Sequence, residues 1–137
     1  MRQRSFWYRT LTALTALWLV GGGILDLMRA PVVAAILQRL GYPIYVCNIL
    51  GPCKILAVAA VIRPRNPLLR EWAYAGITFL MMGAFLSHLA VHDTVSATAA
   101  PVTLLALAAG SYLLRPERYR LRVQPPAATQ EVATFHA

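Results

Sequence analysis

Four apolar runs, each about as long as a membrane is thick, leave this chain few folds to choose from. They cover about residues 6–28, 44–62, 71–91 and 97–114 of the 137. A helix needs ~20 apolar residues to cross a hydrocarbon core. Inside lipid only helices and closed barrels satisfy every backbone N–H and C=O. The expected fold class is therefore all-α, a four-helix transmembrane bundle, over residues 1–115. Charged residues make up 13% of the chain and apolar ones 58%, against roughly 25% and 45–50% in soluble domains. Most of the surface is expected to face the lipid bilayer.

The formal net charge of +8 would suit a nucleic-acid binder, but its placement excludes that partner. Twelve of the 13 basic residues are Arg, all outside or at the ends of the apolar runs, and Lys54 alone lies inside one. Basic residues gathered at span ends are what membrane topology produces. Arg2, Arg4 and Arg9 stand in the N-terminal arm at the start of span one, Arg63, Arg65 and Arg70 join spans two and three, and Arg115, Arg118, Arg120 and Arg122 follow span four. The other side carries Arg29 and Arg39 and no basic residue in the short turn from His92 to Ser96. Ten against two places both termini in the cytoplasm of a cell with an inner membrane, the chain crossing it four times.

Span one opens on the aromatic group Phe6, Trp7 and Tyr8, and Gly21-Gly22-Gly23 would let another helix approach closely. It is expected to be retained, because Asp26-Leu27-Met28-Arg29 follows it in place of a small-residue cleavage site. Between spans one and two, Pro31 suits a helix start and Gly41 a helix end. Val33, Ile36, Leu37 and Leu40 fall at helical spacing there, so a short amphipathic helix is expected at the membrane surface. Residues 116–137 form a basic tail with the polar, Pro-bearing composition of disordered segments. Cys47 and Cys53 are six residues apart, a rise of ~9 Å in a helix, too far for a disulfide. No CxxC occurs, so thiol–disulfide chemistry has no support.

Ionisable side chains inside a span cost roughly 2.5–3.5 kcal/mol at a helix centre on insertion scales, so each needs a reason. Lys54 lies about 15 Å into span two, near the midplane. Asp26, Asn48 and His88 sit in the outer half of their spans. Helical spacing puts Cys47, Gly51 and Lys54 on one face, Gly22 and Asp26 on another, and Met81, Phe85, His88 and His92 on a third. Asp26, Asn48, Lys54 and His88 are thus expected to converge on an outward-opening cavity. The plainer readings are an Asp26–Lys54 pair that sets helix register and a His88 bonded to a neighbouring carbonyl. Glu71, Tyr74, His92 and Asp93 are secondary candidates. Glu71 reads as a helix-start carboxylate paired with Arg63, Arg65 or Arg70, Tyr74 and Trp72 as interfacial anchors, and His92 and Asp93 as exposed loop residues. His88 and His92 lack a third ligand in the sequence, so no metal site is expected.

Two strings are distinctive: Leu40-Gly41-Tyr42-Pro43 with Ile49-Leu50-Gly51 and Lys54 after it, and Arg70-Glu71-Trp72-Ala73-Tyr74-Ala75-Gly76 with Gly83-Ala84 and Ser87-His88 after it. Their order and spacing resemble the DoxX-like family of small four-helix membrane proteins over roughly residues 10–115. The resemblance implies fold and location more than activity. The wider family includes a subunit of an archaeal thiosulfate:quinone oxidoreductase and members tied to thiol redox maturation.

Three function classes follow. In the first, the protein is an accessory or ligand-binding component of a membrane redox system, with a quinone as one candidate ligand and a redox protein or a second copy as candidate partner. Lys54 or His88 would donate hydrogen bonds to a carbonyl and Asp26 would balance charge. In the second, it is a structural or chaperone-like membrane component without a ligand. In the third, it is an oxidoreductase or proton-transfer enzyme acting on a lipophilic substrate, with His88 as acid and base. No cofactor motif or nucleophile elbow supports the third class.

Overall fold

A computed structural model describes residues 2–62 and 67–119. Helix α1 (Arg2–Leu27) is followed by the short α2 (Pro31–Arg39), a 3₁₀ turn (Ile44–Val46), α3 (Cys47–Ile62), α4 (Pro67–Ala90), α5 (Val95–Leu114) and a last 3₁₀ turn (Glu117–Tyr119). Four of these are long and apolar enough to span a membrane: Gln3–Leu27, Ile44–Ile62, Pro67–Ala90 and Val95–Leu114. The third span begins four residues earlier than its hydropathy suggests, because Pro67 is pre-set for a first helical turn. The fourth begins two residues early, where the Thr94 hydroxyl accepts from the Ala97 N–H at 3.4 Å. Arg63, Arg65 and the tail from residue 120 lie outside the described residues.

The spans run up and down in a ring, α1 against α3 and α5, and α4 against α3 and α5. One end of the bundle, the terminal face, holds the start of α1 and the end of α5. The other, the α2 face, holds α2 and the turn between α4 and α5. Leu19, Ile77 and Leu104 meet at the core, with Val58, Val61 and Ala108 around them. Lipid tails are as apolar as these side chains, so close packing and interhelical hydrogen bonds must hold the ring together. The outward faces carry large exposed apolar side chains such as Leu17, Leu56, Phe79 and Leu113, as lipid contact requires.

Three helices end on the α2 face in the same way. α1, α2 and α4 each close with a residue in the left-handed region: Arg29 (φ 48°), Gly41 (φ 78°) and His92 (φ 52°). The next residue's N–H then reaches back to a carbonyl five positions earlier: Ala30 to Leu25 at 3.0 Å, Tyr42 to Leu37 at 2.8 Å, Asp93 to His88 at 3.0 Å. These are Schellman caps. Only Gly41 announces its cap in the sequence, since Arg and His adopt that conformation at a cost.

Candidate functional site

The ion pair between α1 and α3 is built by two glycines. A Cβ added to Gly23 would lie 3.0 Å from the Gly51 carbonyl oxygen, and one added to Gly51 would lie 2.9 Å from that of Gly23. The backbones of α1 and α3 therefore touch. Asp26 and Lys54 each stand three residues beyond that contact, on antiparallel helices, so they start about 9 Å apart along the axis. Helical side chains lean toward the N-terminus of their own helix, and here both lean toward each other. Lys54 Nζ donates to Asp26 Oδ2 at 2.7 Å. The ammonium rests over Gly22, where an added Cβ would be 3.6 Å from Nζ. Asp26 is buried and Lys54 half-buried.

Lys54 also lines a groove of about 510 Å³ between α3 and α4. Leu19 lies at its floor, Cys53, Gly76 and Leu80 along its sides, and Trp72 toward the terminal face. From Leu69 to Leu80 the groove follows α4 for ~16 Å. Apart from Lys54 its lining is almost wholly apolar. A cleft of about 150 Å³ lies on the other side of Lys54, bounded by Trp18, Gly22, Met81 and Pro101. Ligand pockets usually enclose ~300–1,000 Å³, a range that admits the groove and not the cleft. A depression of about 560 Å³ beside α2, lined by Gly41, Tyr42 and Pro43, has no charged side chain.

Of the four residues expected to converge, the structure brings together Asp26 and Lys54 and places the other two elsewhere. Asn48 is exposed, its Oδ1 accepting from Arg29 Nε and Nη2 at 3.4 Å each. His88 is buried, but its Nδ1 bonds Asp93 Oδ2 at 2.9 Å. The carboxylate accepts, so Nδ1 carries the proton. Asp93 is thus no free loop residue. Its Oδ1 also accepts from Arg39 at 3.1 Å and from the Thr94 N–H at 2.8 Å, which straps α2 to the α4–α5 turn. These bonds hold the Asp93 carboxyl below its ordinary value, the one from His88 most of all, then the one from the Thr94 N–H. Tyr42 and Ser87 add a second strap, hydroxyl to hydroxyl at 2.9 Å. His92 is exposed and serves as the α4 cap.

The terminal half holds a second polar network that differs from expectation. Glu71 accepts from Arg115 and, at 2.9 Å, from the Tyr112 hydroxyl. Its partner comes from the end of α5 because antiparallel packing sets the start of α4 beside the end of α5. Arg115 also lies 4.0 Å over the Tyr112 ring. Arg70 is buried, its Nε donating to the Val61 carbonyl at 3.0 Å near the end of α3. Tyr74 is no interfacial anchor: it is 4% exposed and bonds Ser111 at 2.7 Å. Trp72 is exposed toward lipid, consistent with an anchor.

Ser111 in turn bonds Thr12 at 2.6 Å, and Thr12 donates to the Tyr8 carbonyl at 2.7 Å. A carbonyl can only accept and each hydroxyl has one proton, so the order is Tyr74 to Ser111 to Thr12 to Tyr8. Sequence reasoning missed Thr12, Ser111, Tyr112 and Arg115. It weighed ionisable groups inside spans, whereas hydroxyls there carry the same message, and Arg115 was counted for topology alone. A groove of about 450 Å³ runs past Glu71 and Tyr112, but the Glu71 carboxylate is already met by Arg115 and Tyr112. Both cysteines are free, Cys47 buried and Cys53 exposed on the Lys54 groove.

The fold and site define a class: a multi-pass helical membrane protein with an interhelical ion pair whose lysine lines an apolar groove. A family model described as the DoxX-like family matches residues 10–111, and the chain belongs to that family. No curated protein and no solved structure matches it.

Proposed function

We propose that this protein binds a small lipophilic molecule bearing a hydrogen-bond-accepting head, such as a quinone, as an accessory component of a membrane redox system. One observation carries the reading: Lys54, inside a membrane span, lines both the 510 Å³ groove and the smaller cleft behind it, and its ammonium has donors to spare. An ammonium has three donors, and the one bond to Lys54 among the described residues goes to Asp26. Unspent donors in an apolar setting favour an acceptor brought by a ligand. The arginine distribution supports a cell-membrane location with both termini in the cytoplasm.

Reconstitution in lipid nanodiscs with a short-chain quinone tests this, since Trp72 and Trp18 flank Lys54 and quinones quench indole fluorescence. Wild type should quench saturably above the level of simple partitioning. Lys54→Met should weaken the effect, and Gly76→Leu should abolish it, because an added Cβ at Gly76 points into open space beside the groove. Quenching no greater than in a scrambled-groove control would end the reading.

A second reading has its own support. The touching of Gly23 and Gly51 beside the Asp26–Lys54 pair is what a device for fixing helix register requires. On that reading the protein is a structural membrane component, and Lys54→Met alters stability without altering binding.

A further inference from the structure

Resting on the groove as a ligand site, we infer that its ligand has a neutral head and that Asp26 is the residue that excludes acids. Lys54 alone would attract an anionic head. Asp26 at 2.7 Å already balances its charge, so a ligand carboxylate reaching Nζ would bring one uncompensated negative charge into an apolar site. That is among the costliest arrangements a buried site can hold. Exchange offers no escape, because Asp26 is itself buried, with its side chain 4% exposed, and would have to take up a proton to give way. A neutral ketone, ester or quinone oxygen accepts from the remaining Lys54 donors and leaves the pair intact.

Depth argues the same way. The groove's one charged residue is Lys54, whose ammonium rests over Gly22, five residues from the end of the span Gln3–Leu27. A ligand whose head binds there must bring that head about 8 Å inside the end of the span, with its chain lying along Gly76 toward Trp72. Ionised lipids keep their heads at the interface, since a charge inside the hydrocarbon is costly, whereas a neutral carbonyl head enters it readily. Site charge and site depth thus select the same class.

The test is a pair of probes differing only in the head: a chain-brominated palmitic acid and its methyl ester, read by tryptophan quenching in zwitterionic nanodiscs at pH 8. Wild type is expected to favour the ester by about tenfold or more after correction for partitioning, and Asp26→Asn to erase or invert that preference. Gly76→Leu, with its ion pair kept, should lose both probes. An acid bound by wild type as tightly as the ester overturns the inference, even if Asp26→Asn fails to fold. So does a ratio that Asp26→Asn leaves unchanged. In both cases quenching lost in Gly76→Leu shows that the groove reading survives. Quenching by neither probe, with Gly76→Leu indistinguishable from wild type, removes the groove reading and this inference together.

Discussion

Gly23 and Gly51 pack backbone against backbone, each one's missing Cβ leaving room for the other's carbonyl within about 3.0 Å. The α1–α3 crossing, and through it the span of the Lys54–Asp26 bond, depends on those two absences. Gly51→Ala should force the helices apart, since the new methyl would meet the Leu27 side chain at 2.8 Å and the Gly23 carbonyl at 2.9 Å. Overpacking of this kind costs about 1–3 kcal/mol. Gly21→Ala meets nothing within 4 Å and should be neutral or stabilising by up to ~1 kcal/mol. Thermal unfolding in detergent, followed by circular dichroism, would separate the two. Equal effects would contradict the close contact.

The charges themselves should behave as a coupled unit. Removing one partner strands the other, at about 3–5 kcal/mol, so Asp26→Asn and Lys54→Met are each expected to be severe. The double variant Asp26→Asn/Lys54→Met strands nothing and should be milder than either. A double-mutant cycle on unfolding midpoints measures this, and simple additivity would refute it.

The hydroxyl chain from Tyr74 to Tyr8 has a direction, and the direction makes a prediction. Ser111→Ala leaves the buried Tyr74 hydroxyl without its acceptor, at about 1–3 kcal/mol. Tyr74→Phe takes away the unmet donor, so adding it to Ser111→Ala should recover part of the loss. No recovery would mean that the two hydroxyls do not depend on each other.

Acid should loosen the α2 face first. The Asp93 carboxyl is held below its ordinary value by His88, Thr94 and Arg39. A depressed carboxyl contributes stability that is whole above the ordinary value and lost as pH falls through the folded one. The straps to His88 and Arg39 should hold above roughly pH 4 and weaken below it. Hydrogen-exchange protection at the His92 and Asp93 amides, corrected for the intrinsic rate at each pH, should fall on that acid limb, and Asp93→Asn should flatten the limb. Protection that is constant down to pH 3 would count against the strap.

His92 adopts φ 52° as the cap of α4, a conformation costing an L side chain about 1–2 kcal/mol. His92→Gly should therefore raise the melting temperature in detergent, while His92→Ala should not. A destabilised His92→Gly would point to a role for the imidazole beyond the cap.

Length and polarity of the apolar runs, with the placement of arginine, made the four spans and the short α2 readable before any coordinates. The Asp26–Lys54 pair was readable as well, because helical spacing assigns each side chain to a face. What spacing omits is competition from near neighbours. His88 found Asp93 five residues on, and Asn48 found Arg29 across the first turn of the chain, so neither joined Lys54. Glu71 had three arginines close in sequence, yet met Arg115 from 44 residues away, because antiparallel packing and not chain distance decides what meets at a bundle end. Tyr74 looked interfacial from its place near Trp72, but one helical step separates a lipid-facing position from a core-facing one.

The mutual neutralisation of Lys54 and Asp26 bears on how the chain enters the bilayer during synthesis. Alone, the helix carrying Lys54 would have to bring a cation into hydrocarbon, at roughly 2.5–3.5 kcal/mol. α1 emerges from the ribosome earlier and already bears the anion, so the two helices can leave the translocon as a neutral hairpin, with α2 as the joint between them. Entering as a pair would spare the second segment that cost, and a chain with the two exchanged in order would lose the benefit.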